Sequence, residues 1–499
     1  MAQFYLGDRY YNGKGEKKNL KKAYEWYEKA AEQGHAEAQF KLGTMYSSGQ
    51  GIGQDVEEAV VWYKKAANLN YAKAQFKLGE MYEKGQGVQE DFSKAFEWFE
   101  KAANQKHIEA QYKLGEMYSS GQGIEQDDEE AFEWFEKAAN QKHIEAQYKL
   151  GEMYFSGQGV QQDFEESVVW FEKAANQGHK EAQFKLGEMY FSKQNVQDDK
   201  KAFEWYEKAA KQNYAEAQYK LGLMYEYGRG ITTNHKKAKE YLEKAVKQNS
   251  LSSDKLGEIY YQLGRMYSTS YHKLEKPDYT KARKYYIEAY HIYDAYYKVI
   301  ENGLADLGKI CSELGDMFYA GQGGKRDYTT AEEYYTWVIY RYNENGLSDL
   351  FLGDIYCKLG DMFYARRDGK RDYTKAEEYY TKAGKCYTKT EDESLSNSYL
   401  YYLYYNLGYK FFELGKLVES NPTTRKSREY ENYYKKAKEW FEKAANQGDV
   451  NAQYKLGLMY YSGDGIEKNY EKAKEWWIKA TSQGHKEAEK MLKRYYYRD

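Results

Sequence analysis

The chain has 499 residues, with 75 Lys and Arg against 78 Asp and Glu, a formal net charge of −3 that leaves no general basic excess for holding a nucleic-acid or membrane polyanion. Only 2 Pro occur, where average usage would give about 25, and 18% of residues are aromatic, 59 of them Tyr, so the 31% charged fraction does not describe a disordered chain and the core must be aromatic. Three cysteines, Cys311, Cys357 and Cys386, are too few and too widely spaced for a disulfide framework or a CxxC metal site; with no signal segment and no long apolar run, they point to a reducing compartment, the cytoplasm.

The pair Leu-Gly recurs with Leu6, Leu42, Leu78, Leu114, Leu150 and Leu186 at a constant spacing of 36, then at Leu221 after the loss of one loop residue. A fixed period of this length predicts stacked repeats. Each period parses as helix, loop, helix. In residues 36–69 the first helix carries Ala38, Leu42, Met45 and Tyr46, and the second Ala59, Trp62, Tyr63 and Ala66, one apolar stripe apiece. Gly43 lies on the packing side, where a missing Cβ admits a close neighbour. Gly49 and Gly51 supply positive φ in the turn. Asp55 is placed as N-cap of the second helix, and the same position holds Asn19, Asp91, Asp127, Asp163, Asp198, Asn234, Asp278, Asp327, Asp372 and Asn469.

The string Ala-x-Ala-Gln-x-x-Leu-Gly-x-Met-Tyr-x-x-Gly-x-Gly, followed by Asp-x-x-x-Ala-x-x-Trp-Phe-x-Lys-Ala-Ala-x-x-Gly, resembles the Sel1-like repeat, a branch of the tetratricopeptide superfamily. It is clean over 1–249 and 436–485 and stretched over 250–435, which divides the chain into 1–249, 250–435 and 436–499. The cysteine pair that staples each repeat in many secreted relatives is absent. The resemblance implies an all-α, right-handed α-solenoid of about a dozen antiparallel helix hairpins, with the first helices lining the concave surface.

Between 250 and 435 the Leu-Gly pair is doubled seven residues apart, at Leu256 and Leu263, Leu307 and Leu314, Leu352 and Leu359, and Leu407 and Leu414, which predicts first helices two turns longer. Residues 307–335 and 352–380 read as a tandem duplication. Tyr285, Tyr286, Tyr290, Tyr293, Tyr296 and Tyr297 supply packing area with hydroxyls free to reach water, and the cluster Tyr399, Tyr401, Tyr402, Tyr404 and Tyr405 is expected to bury against the longer helices. Residues 388–398 and 418–432 read as loops or hinges. The chain opens inside a first helix with no preceding cap, a trimmed protein or a bare start, and closes on the charged stretch 486–497, expected to cap the array.

Candidate chemistry is sparse. The repeated Gly-x-Gly has no preceding strand and no following Lys-Ser/Thr, so it reads as turn rather than phosphate cradle. His35, His107, His143, His179 and His485 occur one per repeat and read as turn residues rather than metal ligands. Glu129 with Glu130, and Glu332 with Glu333, read as solvated face. The column Trp26, Trp62, Trp98, Trp134, Trp170, Trp205, Trp440 and Trp476 reads as a buried spine. No catalytic constellation, metal site or cofactor site can be assembled, so an enzyme is not expected.

One periodic feature points to a partner. With the first helices on the concave side, Phe40, Phe76, Tyr112, Tyr148, Phe184 and Tyr219 form an aromatic rail, and Glu80, Glu116, Glu152 and Glu188 a carboxylate rail beside it. Together they suit a peptide with basic and apolar side chains; alternatively the aromatics complete the inter-repeat core and the glutamates solubilise the face. The function expected is a non-enzymatic scaffold or adaptor for protein or peptide partners. The competing expectation is single-stranded RNA binding, one base per repeat, which the missing positive charge opposes.

Overall fold

The computed structural model describes residues 1–15, 17–192, 198–248, 250–269, 276–297, 304–345, 348–366, 371–390, 397–420 and 428–496. Twenty-five α-helices and no strand occur among them. They form a helical-repeat solenoid in two compact units, Met1–Gln248 and Asn249–Asp499.

In the first unit most helices are 13 residues long, and each pairs with the next as an antiparallel hairpin. The helix Ala36–Ser48 ends because Gly49 takes φ 71°, which only glycine adopts freely. The second glycine of the loop has a tighter constraint: a Cβ on Gly51 would lie 2.6 Å from the Leu20 carbonyl oxygen, at the start of the previous second helix. The loop closes with the Asp55 amide donating to the Tyr46 carbonyl at 2.9 Å. Asp55 then turns its carboxylate to the Glu58 amide, capping Val56–Asn68. All eleven Asx positions expected to cap do so.

The histidines do more than turn the chain. His35, His107, His143, His179 and His485 cap the first helices, each Nδ1 accepting the backbone N–H three residues on. An Nδ1 that accepts leaves Nε2 as the ring's donor.

The buried stripe of the second helix is rotated from the expected one. Ala59, Tyr63, Ala66 and Ala67 are buried, whereas Trp62 is half-buried. Among the eight tryptophans only Trp170 is buried. The spine is the residue after each: Tyr27, Tyr63, Phe99, Phe135, Phe171, Tyr206, Phe441 and Trp477, at most 2% exposed. These rings lie over the Leu-Gly glycines; a Cβ on Gly115 would sit 2.6 Å from the Phe135 ring. Burying such a ring is worth roughly 1.5–3 kcal/mol. The tryptophan, 100° away on the helix, turns to the previous hairpin, as Trp62 does against the core of Phe4 to Met45. Its outer face carries the lysine three residues on, 3.3–4.9 Å from the ring centroid.

A polar ladder also runs through five successive junctions of the first unit. Gln75, Gln111, Gln147, Gln183 and Gln218, buried on the first helices, each donate Nε2 to an alanine carbonyl eight residues back. Their Oε1 atoms accept from Gln105, Gln141, Gln177, Gln212 and Gln248 at 2.6–2.9 Å.

In the second unit the helices lengthen, by less than two turns at Leu304–Ala320 and Asp349–Ala365 (17 residues each) and by more at Asn397–Ser420 (24). The doubled Leu-Gly adds a second contact, Gly353 under Tyr387 beside Gly360 under Tyr380. Of the tyrosine cluster only Tyr404 is buried; Tyr399 and Tyr402 are exposed, because one face of this helix has no neighbour among the described residues. Residues 388–389, 397–398, 418–420 and 429–432 are helical rather than loop; of the two expected hinges, 391–396 and 421–427 lie outside the described residues, as do the side chains of Tyr296 and Tyr297. Lys486–Tyr496 packs Ala488 and Leu492 against the preceding helix. Among the described residues no helix is long and apolar enough to cross a membrane.

Candidate functional site

In four repeats the first-helix sequence aromatic-Lys-Leu-Gly-Glu places aromatic, lysine and glutamate within about one turn; after Phe40 and Tyr219 the glutamate position holds Thr44 and Leu223. Phe40, Phe76, Tyr112 and Tyr148 are half-buried, while Phe184 and Tyr219 are buried. Each of the first five packs against the ring of its own hairpin's second helix, Tyr63, Phe99, Phe135, Phe171 or Tyr206, with centroids 5.5–5.6 Å apart. The other side meets the cap of the next first helix. Phe76, Tyr112 and Tyr148 stack on His107, His143 and His179 at 4.5–4.7 Å, while Phe40 and Phe184 meet Tyr71 and Tyr214 at 5.5 and 5.1 Å. The aromatics therefore join adjacent repeats and present only an edge outward.

The glutamates are not bare. Glu80, Glu116, Glu152 and Glu188 pair with Lys77, Lys113, Lys149 and Lys185, three residues earlier, at 2.9–3.2 Å. Lys113 also reaches Glu83 of the previous first helix at 3.1 Å, and Glu80 takes Lys84 at 3.5 Å. Tyr148 donates its hydroxyl to Glu152 at 2.8 Å. Burial first, and then the adjacent carboxylates, push the Tyr112 and Tyr148 phenols above their ordinary value, so both are hydrogen-bond donors at neutral pH. The face is a zwitterionic track of alternating ammonium and carboxylate. Its lysines were visible in the sequence at a constant offset of −3 from each glutamate.

Beside the last pair the track opens into a cavity of about 430 Å3, lined by Phe155, Phe164, Phe171, Met189, Ser192 and the stems of Lys185 and Glu188. Phe155 and Phe164 meet edge to face at 5.5 Å and are 45% and 41% exposed. Sequence reasoning missed them, although the signal was there: the positions of Phe155 in the three preceding repeats are Ser47, Glu83 and Ser119.

The three cysteines are free, Cys311 and Cys386 buried and Cys357 half-buried. Burial pushes all three thiols up, Cys386 to about 11 and Cys357 to about 12. Among the described residues no group of three or more His, Cys, Asp or Glu gathers as metal ligands.

The family model for the Sel1 repeat matches residues 1–35, 36–71, 72–107, 108–143, 144–179, 180–214, 215–250, 258–291, 311–336, 356–386, 431–449 and 450–485. The crystal structure of a protective antigen present in uropathogenic Escherichia coli strains, displaying an SLR fold, is 26% identical over 94% of this chain and 90% of its own, with a TM-score of 0.60. A Sel1 repeat protein from Oxalobacter formigenes is 32% identical over 50% of this chain and 99% of its own, with a TM-score of 0.43. No curated protein matches the sequence.

Proposed function

Since the chain belongs to the Sel1 repeat family, whose members generally act in protein–protein interaction as non-catalytic scaffolds, we propose that it is an adaptor holding an extended or helical peptide segment of a protein partner along the first-helix face of its first unit. One observation carries the reading: the periodic Lys–Glu track ends at an apolar cavity with two exposed phenylalanines on its wall. A partner segment with basic and apolar residues exchanges its cations for the track lysines at each glutamate and seats one apolar anchor between Phe155 and Phe164. The Lys149–Glu152 and Lys185–Glu188 pairs are exposed on both sides, and exposed i,i+3 pairs are worth about 0–1 kcal/mol, so opening those two costs little. The anchor supplies affinity, and the track supplies register and steering. Three free thiols support a reducing compartment, and we place the adaptor in the cytoplasm.

The test is capture of partners by the wild-type chain and by a variant with Glu80, Glu116, Glu152 and Glu188 changed to Lys, alongside Phe155→Ser with Phe164→Asp. Loss of the same partners from both variants supports the adaptor, whereas an unchanged set from both overturns it. Recovery of RNA by the quadruple variant alone is the expected gain from added positive charge. RNA bound by the wild type with a steep salt dependence would replace the peptide reading.

A further inference from the structure

The second unit repeats a charged triad that loses one member at its third occurrence. On Leu304–Ala320, Asp316 follows the Leu314-Gly315 pair, accepts the Tyr335 hydroxyl and takes Lys358 of the next first helix at 2.6 Å. On Asp349–Ala365, Asp361 follows Leu359-Gly360, accepts the Tyr380 hydroxyl at 2.6 Å and takes Lys410 of the following first helix at 2.7 Å. Each buried tyrosine and each cross-repeat lysine converge on one aspartate.

At the next junction, between Asn397–Ser420 and Val450–Ser462, the residue after Leu414-Gly415 is Lys416, not aspartate. The tyrosine has adjusted: Tyr434 donates to Glu419 at 2.7 Å. The lysine has not. Lys455, which like Lys358 directly precedes Leu-Gly, is half-buried with its ammonium 5.2 Å from the Tyr409 ring and 5.6 Å from the Phe412 ring. Lys416 stands over the same Phe412 ring at 4.8 Å. Glu413 is 3.9 Å from Lys416 and acts on Lys455 only through space, and Lys455 makes no ion pair among the described residues. Position 458, three residues on, is Leu, as is Leu223 after Lys220, where the first unit has Glu80, Glu116, Glu152 and Glu188 in four other repeats. Burial, together with Lys416, holds Lys455 below the ordinary lysine value.

We propose that Lys455 and Lys416, on the floor made by Tyr409 and Phe412, form a binding site for an anionic oxygen group, which takes the place of the missing aspartate. A half-desolvated ammonium with no carboxylate partner favours such a group more than a solvated lysine does. The group is an acidic side chain of a bound segment or a free phosphate. The site lies in the second unit, so its failure leaves the peptide track of the first unit standing.

The test uses the full chain with its lysines reductively 13C-methylated and the Lys455 signal assigned by its loss in Lys455→Arg. Three probes are titrated: the blocked tripeptide acetyl-Leu-Glu-Leu-amide, its Gln counterpart, and inorganic phosphate. The expected result is a saturable shift of the Lys455 signal with the Glu peptide or with phosphate, none with the Gln peptide, and none at the paired Lys410. Saturation by the peptide assigns the site to an acidic side chain, and saturation by phosphate alone assigns it to the free anion. Lys416→Asp restores the triad from within, so it weakens the apparent affinity more than tenfold and raises the Lys455 titration midpoint while the melting temperature holds or rises. A Lys455 signal unmoved by both anions, or a shift that persists in Lys416→Asp, overturns the proposal.

Discussion

Leu69→Gln adds a missing rung to the glutamine ladder. In each of the five junctions from Gln75 to Gln218, and again at Gln453, the buried glutamine's Oε1 accepts from a second glutamine 29 or 30 residues on. For Gln39 that position is Leu69, which is 50% exposed, and the Gln39 Oε1 is buried with no hydrogen-bond partner, while its Nε2 still donates to the Ala31 carbonyl at 3.0 Å. An orphaned buried acceptor costs about 1–3 kcal/mol, and a new hydrogen bond returns about 0.5–1.5 kcal/mol net. Ordering a glutamine side chain removes part of that. The expectation is a gain of about 1 kcal/mol, which moves the midpoint of a unit of this size up by about 2–4 °C. Repeat arrays lose structure by neighbouring hairpins, so the shift belongs to the transition that reports the first two. Thermal and urea melts followed by circular dichroism, with hydrogen exchange at the amides of residues 36–48, provide the measurement. Gln141→Leu is the converse at an intact rung: it orphans Gln111 and should lower stability by about 1–3 kcal/mol. If Leu69→Gln leaves both the melt and the exchange rates unchanged while Gln141→Leu is also silent, the ladder holds nothing together and the reasoning is wrong.

Three further outcomes follow from the same packing. Gly115→Ala places a methyl 2.6 Å from the Phe135 ring; overpacking of about 1–3 kcal/mol outweighs the roughly 1 kcal/mol gained in helix propensity, so the variant melts lower, and a higher melting point would contradict the ring-on-glycine contact. His107 and His179 accept a backbone N–H through Nδ1, and burial holds both imidazoles below the ordinary histidine value of 6.5. Because the folded values are depressed, their stabilisation is complete above pH 6.5 and is lost as pH falls through the folded values. The paired change His107→Asn, His179→Asn keeps the caps and should flatten the fall in stability from pH 6.5 to 5; an equally steep fall would place its origin elsewhere. The raised thiols of Cys357 and Cys386 predict slow labelling by iodoacetamide in the native chain and rapid labelling in urea; fast native labelling would show that the second unit opens there.

Much of the fold is written locally. Asp55 caps its helix because a short carboxylate reaches the amide three residues on, whatever lies beyond, and Gly49 ends its helix by its own φ. The aromatic rail was legible in the sequence as a period, yet Phe184 and Tyr219 are buried where Phe40 and Tyr148 are half-buried, and this depends on the neighbouring hairpin. The carboxylate rail was legible without its counterions, although Lys77 stands three residues before Glu80, because a list of acids says nothing about which cation bends back to meet them.

The chain alone determined the repeat, its register, its Asx caps and the residue classes of its core, since these follow from the 3.6-residue turn and from side chains that reach only their own backbone. It did not determine that Tyr63 rather than Trp62 fills the core, that Gln39 lacks a donor, or that Lys455 lacks an acid. Those depend on the angle at which the next hairpin arrives, set by contacts between residues about thirty positions apart, and only the packed structure brings those residues together.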